Sequence, residues 1–307
     1  MSKAFIFPGQ GAQQMGMGKE FYEEGNWVND IWDEANSLVG YDLKTKVFNG
    51  PEEDLKQTEV TQPAMYMTEI IIHKALLDSG IKPDITAGHS LGEYTAVVAS
   101  GALSWQQGLE LVKFRGETFS AAASKTPGGM IAVIGMEEDK LAEILNDIDG
   151  VAEIVNYNSP GQLVVSVQKN LLEEASLKIK EGGAKLVIPL KVSVGFHSSL
   201  LDEAVVPMSE KINSMEFKTP EIAFYSNCTG EKIETSEGIK DCLIKQVNSP
   251  VKWVSIINNI AKEHPASEFI EVGPGKVLQG LLKKIDRALV GKGVSTPEDI
   301  SSMTAES

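Results

Sequence analysis

"GHSLGEY", residues 88–94, places Ser90 inside the pattern Gly-x-Ser-x-Gly. Taken alone, the pattern marks no more than a glycine-rich loop. A buried strand before it and a helix after it turn the same residues into a nucleophile elbow, in which a sharp turn lifts the serine hydroxyl to the top of a sheet. Both flanks are legible. "KPDITAG", 82–88, is a short β-leaning run opened by a Pro-Asp turn signal. "LGEYTAVVASGAL", 91–103, carries Ala, Val and Leu at helical spacing. Gly88 and Gly92 permit a turn that ordinary side chains would block. The helix start offers unpaired N–H groups to a developing negative charge. This setting favours a nucleophilic Ser90.

Outward from the elbow, the chain alternates strands and helices. "KAFIF", 3–7, reads as a buried first strand running into the turn "PGQGAQQMGMG". Those glycines match neither the dinucleotide fingerprint nor a Walker sequence. Helical patterns follow over 19–38, over 62–80 with Gln62 and Pro63 at its start and Gly80 at its end, and over 104–124. After "KTPGG", 125–129, the rhythm changes to strand, helix, two strands joined at "SPG", helix and strand. That βαββαβ order is the ferredoxin-like arrangement. The expected fold is α/β: an α/β-hydrolase-like core over 1–124 and 194–307, interrupted by a small ferredoxin-like domain over 125–193. Further strands are expected at "EIAFYSN" and "SEFIEVG", with helices near 236–247, 251–262 and in "PGKVLQGLLKKI". The tail "VGKGVSTPEDISSMTAES" is small and polar and is expected to be mobile.

Composition narrows the function classes. The 307 residues are 42% hydrophobic, enough for a substantial core. A net charge of −15 argues against nucleic acid as a ligand. Two cysteines, Cys228 and Cys242, fit a reducing compartment better than a disulfide framework. The N-terminal apolar run is too short for a signal peptide, and no stretch has the length of a membrane span. A soluble, cytoplasmic monomer is expected, with no metal.

A serine hydroxyl needs a base to take its proton. Of the four histidines, His73 lies on an apolar helix, His264 precedes a proline in a loop, and His89 adjoins Ser90 on a tight turn. His197, in "VSVGFHSSLLDEA", sits at the boundary between the two rhythms, where clefts form. It is the expected base, ahead of a histidine that merely caps the next helix. No acid between serine and histidine stands out as its partner. The histidine can instead be oriented by a backbone carbonyl. Arg115 falls on the same helical stripe as Leu111, Val112, Phe119 and Ala122. An inward arginine is costly unless paired. Either an internal carboxylate or a substrate carboxylate meets that need, and proximity to the elbow tips the reading toward substrate.

The assembled motifs resemble those of the malonyl-CoA:acyl carrier protein transacylases, the malonyl loaders of fatty acid synthesis. "FPGQGAQ" at 7–13, "TQPA" at 61–64, "GHSLGEY" at 88–94, "FRG" at 114–116, "FHS" at 196–198, "NSPVKW" at 248–253 and "EVGPGKVL" at 271–278 carry the likeness over nearly the whole chain. The resemblance implies that Ser90 takes the malonyl group from malonyl-CoA, with His197 as base. The main-chain carbonyl of Gln246 would orient that base. The N–H groups of Gln10 and Leu91 would form the oxyanion hole, and Arg115 would bind the malonyl carboxylate. The phosphopantetheine thiol of acyl carrier protein would then collect the acyl group in a ping-pong cycle. No cofactor is implied. Phe196 before His197, with Leu91 after Ser90, resembles malonyl-selecting members. A polyketide-pathway loader and an acyl hydrolase share the fold, but a hydrolase has no need of Arg115. A non-catalytic acyl-CoA- or carrier-binding module would leave Ser90 or His197 idle. An acidic enzyme serving an acidic carrier needs a local basic patch, for which Lys185, Lys191, Lys283 and Lys284 are candidates.

Overall fold

In strand β1 (Lys3–Phe7), Ala4 and Ile6 enter one apolar cluster while Phe5 and Phe7 enter another, and all four are fully buried. A strand covered on both faces belongs in the middle of a parallel sheet flanked by helices. The computed structural model, which describes residues 2–24, 26–265 and 267–305, places it there. The larger sheet has the order β10 (Gly291–Val294), β9 (Glu268–Val272), β1, β2 (Ile85–Gly88), β7 (Ala223–Tyr225), β8 (Lys232–Ile233). Its strands are parallel except for the β7–β8 pair. The architecture is mixed α/β, with helices on both faces.

The second sheet is antiparallel, in the order β4 (Ala152–Ser159), β5 (Gln162–Gln168), β3 (Gly128–Ile134), β6 (Leu186–Pro189). Helices Glu138–Asn146 and Leu172–Glu181 cover one face, burying Leu141, Leu145, Ala175 and Ile179 against Ile131, Val133, Val165 and Val167. Met130, Val155 and Val164 join the main core instead. A β-bridge joins this sheet to the rest of the chain, where Val251 N–H donates to the Val155 carbonyl at 2.8 Å and Tyr157 N–H to the Val251 carbonyl at 3.0 Å.

Several expected boundaries move. The helix expected over 62–80 runs Thr58–Asp78, so Pro63 lies inside it. Proline has no N–H for the carbonyl four residues back, which is that of Glu59. The Tyr41 hydroxyl donates to that carbonyl at 3.3 Å, so the ladder tolerates the gap. The pattern over 19–38 resolves into helices Lys19–Glu24 and Asn26–Val39, with residue 25 outside the described residues. The helix after the elbow stops at Ala99. The tail forms regular structure over its described length: β10 pairs with β9, and helix Pro297–Ala305 buries Ile300 and Met303. Four-residue strands built from glycine and lysine carry no alternating apolar signal, because their neighbours supply the burial.

Candidate active site

The site begins at the carboxyl ends of β1 and β2, where open parallel sheets place their ligands. Phe7 lies opposite Gly88, and the His89 N–H donates to the Phe7 carbonyl at 2.9 Å. The chain crosses itself so closely that a Cβ at Gly88 would overlap the Gly92 carbonyl, and one at Gly92 the Phe7 carbonyl. Between them Ser90 has φ 54°, and His197 has φ 61°. Among the described residues these are the two non-glycine positions with positive φ. Each costs on the order of 1–3 kcal/mol and persists only where surroundings impose it.

Those surroundings are specific. Asn227, just beyond β7, accepts the Ser90 N–H at 2.7 Å and donates Nδ2 to the Gly88 carbonyl at 2.5 Å. The Ser166 hydroxyl on β5 donates to the Phe196 carbonyl at 2.6 Å, and the Ser198 hydroxyl to the Gly195 carbonyl at 2.8 Å, pinning the loop that carries His197.

The structure brings Ser90, His197, Gln246 and Arg115 together. Ser90 Oγ lies 2.7 Å from His197 Nε2, and His197 Nδ1 lies 2.8 Å from the Gln246 carbonyl oxygen. A carbonyl only accepts, so Nδ1 carries the proton and Nε2 is left to accept from Ser90. Burial, and after it the Arg115 charge, pushes the His197 imidazole from 6.5 down to about 3, against the pull of its bond to Gln246. His197 is therefore neutral at neutral pH and able to take a proton.

Arg115 lies fully inside, on helix Trp105–Lys125, whose start is fixed by a Ser104–Gln107 capping box. Its guanidinium stacks 4.4 Å from the Phe119 ring centroid and 5.2 Å from that of Tyr94. Nη2 donates to Gln246 Oε1 at 3.0 Å and to Ser90 Oγ at 3.3 Å, while buried Nε has no acceptor among the described residues. No carboxylate pairs with Arg115 among the described residues. The internal ion pair that would have explained it away is absent there.

The main-chain N–H groups of Gln10 and Leu91 have no acceptor among the described residues. Gln10 borders, with Arg115, Ser90 and His197, a cavity of about 430 Å³ walled by Met130, Val164, Leu190, Val192 and Phe196. His89 also faces it, with Nε2 2.8 Å from Asn158 Oδ1 and its ring against Trp253. His73 packs edge-on against Phe5 and Phe7, and burial lowers it to about 4. Cys228 and Cys242 are free thiols. Among the described residues no cluster could hold a metal ion, and no helix is long and apolar enough to cross a membrane.

Sequence reasoning missed the places of Asn227 and Glu93. Asn227 had a usable signal, a polar "SNCTG" run closing a strand of the same sheet. Glu93 had none, because a carboxylate in the first turn of a helix is ordinary.

Residues 4–298 match the model of the acyl transferase domain family. The chain is 41% identical over 304 residues to the malonyl CoA-acyl carrier protein transacylase of Bacillus subtilis (strain 168), covering 98% of this chain and 96% of that protein. It superposes with a TM-score of 0.93 on an acyl carrier protein S-malonyltransferase of Vibrio cholerae, 37% identical and covering 99% and 100% of the two chains. It superposes with a TM-score of 0.96 on a malonyl-transacylase solved in complex with a type II PKS acyl-carrier protein, 32% identical over 100% of both chains.

Proposed function

The chain belongs to the acyl transferase family, among the malonyl-CoA:acyl carrier protein transacylases, and from that premise we propose how its site works. The enzyme moves malonyl from malonyl-CoA to the phosphopantetheine thiol of acyl carrier protein, for fatty acid synthesis. Ser90 Oγ attacks the thioester carbonyl carbon while its proton passes to His197 Nε2. The oxyanion that forms is met by the N–H groups of Gln10 and Leu91, preorganised donors of the kind that carries much of such catalysis. The carbon–sulfur bond breaks, and the CoA sulfur leaves with the proton from His197. Malonyl-Ser90 then meets the carrier thiol, and the same steps run in reverse. The Gln246 carbonyl keeps the imidazole in the tautomer this requires. Met130, Val164 and Phe196 make part of the cavity wall apolar.

The observation that carries this reading is Arg115: a buried guanidinium facing the cavity beside Ser90, with no carboxylate partner among the described residues. The malonyl carboxylate supplies that partner, and a hydrolase of neutral acyl chains would not. We also assign the finer architecture here. The larger sheet is an α/β-hydrolase-like core formed by 1–124 and 194–307, and 125–193 is a ferredoxin-like insertion, a reading supported by its strand order β4-β5-β3-β6. Intact-mass measurement after mixing with malonyl-CoA tests the function. One malonyl mass is expected on the wild type and none on Ser90→Ala, and holo acyl carrier protein should remove it. A label that persists in Ser90→Ala refutes the assignment.

A further inference from the structure

Glu93 lies one turn beyond the elbow and is completely buried. Both of its oxygens meet donors. Oε1 accepts the Asn227 main-chain N–H at 2.9 Å, and Oε2 accepts from Gln246 Nε2 at 2.5 Å. These donors belong to the two arms of the site. The Asn227 side chain holds the nucleophile through the Ser90 N–H and the Gly88 carbonyl. Gln246 holds the rest: its carbonyl accepts from His197, its Oε1 from Arg115, and its Nε2 also donates to the Ser90 carbonyl at 2.8 Å. The amide orientation of Gln246 follows from its partners, because a guanidinium only donates and a carbonyl only accepts. Its NH₂ side therefore faces Glu93.

We propose that Glu93 is a positioning residue of acyl transfer, whose carboxyl clamps the arm that carries Ser90 to the arm that carries His197 and Arg115. The proposal rests on the acyltransferase reading of the site. A carboxyl can accept from both donors at once. An amide of the same shape can accept from one and must turn N–H toward the other, so Glu93→Gln opens the clamp with little change in volume. The arms then drift apart, and misplacement of reacting groups by about an ångström can cost on the order of 100-fold in rate.

Two readouts on the full chain test this. Rapid-quench mass analysis gives single-turnover acylation of Ser90 by malonyl-CoA and by acetyl-CoA. Nuclear magnetic resonance of histidine-labelled protein follows the His197 Nδ1 proton, assigned by its loss in His197→Asn. In Glu93→Gln, saturating acylation should fall about 10- to 100-fold for both acyl groups, with KM for malonyl-CoA within about threefold of wild type. The proton resonance should shift or broaden. Rates within about twofold of wild type and an unmoved resonance overturn the proposal.

The double substitution Glu93→Gln with Gln246→Glu restores a donor opposite an acceptor, while the new carboxylate occupies Arg115. It should acetylate faster than Gln246→Glu alone, which sets two carboxyls face to face, yet remain poor with malonyl-CoA. Acetylation no faster than in Gln246→Glu alone also overturns the clamp, and this comparison stands if Glu93→Gln does not fold. A wild-type chain that takes up no malonyl would refute the proposed function instead, and the resonance would still report on the clamp.

Discussion

Arg115 holds a full positive charge in the interior, where desolvation would cost several kcal/mol without the Phe119 and Tyr94 rings and the Gln246 oxygen around it. Removing one side of a sheltered, bidentate carboxylate pair costs roughly 2–5 kcal/mol, or about 30-fold to several thousand-fold in kcat/KM. Arg115→Ala should lose malonyl transfer by such a factor and spare the slow transfer of acetyl, which has no carboxylate. Arg115→Lys should recover little, since an ammonium lacks the planar fork. The ratio of malonyl to acetyl acylation measures this, and an equal fall in both would make Arg115 structural. His197 gives a second expectation. Burial, and after it the Arg115 charge, pushes its imidazole down to about 3, so the base stays neutral as pH falls through the ordinary histidine value of 6.5. The sign for stability follows: a depressed pKa contributes stability that is present above 6.5 and lost as pH falls toward 3. Single-turnover acylation should therefore hold its rate through pH 6.5 and fail in acid when the fold fails. An acid limb centred near 6.5 with the fold intact would contradict a desolvated base. In Arg115→Ala, where the repelling charge is gone, the His197 pKa should rise toward 6.5, read by following the histidine resonances against pH.

The closing element, β10 with helix Pro297–Ala305, extends the parallel sheet by one strand and buries Val294, Ile300 and Met303. Burying such side chains is worth about 1.5–3 kcal/mol each, so together they contribute roughly 5 kcal/mol or more. That is comparable with the whole stability of an ordinary domain. A chain ending at residue 290 should lose its cooperative urea transition or show a midpoint far below wild type. An unchanged midpoint would mean that this segment is dispensable. The sequence concealed the element because "GKGV" offers no alternating apolar pattern and the helix is mostly polar. The long helix Thr58–Asp78 was hidden for a different reason. Pro63 reads as a helix start, and only the position of Tyr41 explains why it stands five residues inside.

Across the whole molecule, a net charge of −15 must be reconciled with an acidic carrier. Lys191 borders the cavity, and Lys284 Nζ donates at 2.8 Å to Gln162, which borders it too. Lys185 instead packs its stem over Gly135. Of the candidate lysines, Lys191 lines the cavity and Lys284 holds a residue that lines it. Reversing both to glutamate should raise KM for acyl carrier protein about tenfold, equivalent to ~1.4 kcal/mol, with a steeper loss at low salt. Loading from malonyl-CoA should fall by a smaller factor than transfer to the carrier, because that half-reaction does not involve the carrier's surface. Steady-state kinetics at two salt concentrations checks this, and carrier kinetics that do not respond would place the docking surface elsewhere.

Local patterning marks the side chains to consider for chemistry. Ser90 between two glycines, His197 beside a boundary glycine and Arg115 on an apolar stripe are legible because turn geometry and helical period are local properties. It also determined the two rhythms of the chain, since hydrophobic period follows from the backbone alone. What orients His197 could not be read as an acid, because the partner is a main-chain carbonyl that every residue possesses. Whether Arg115 is paired internally, and why Asn227 and Glu93 matter, were decided only in three dimensions. Asn227 is 137 residues from Ser90 and Gln246 is 153 from Glu93, and their hydrogen bonds exist only after β2, β7 and the helix Ser236–Gln246 have packed together. Spacing along a chain sets which face a residue occupies, whereas donor–acceptor matching across that distance is fixed by the fold.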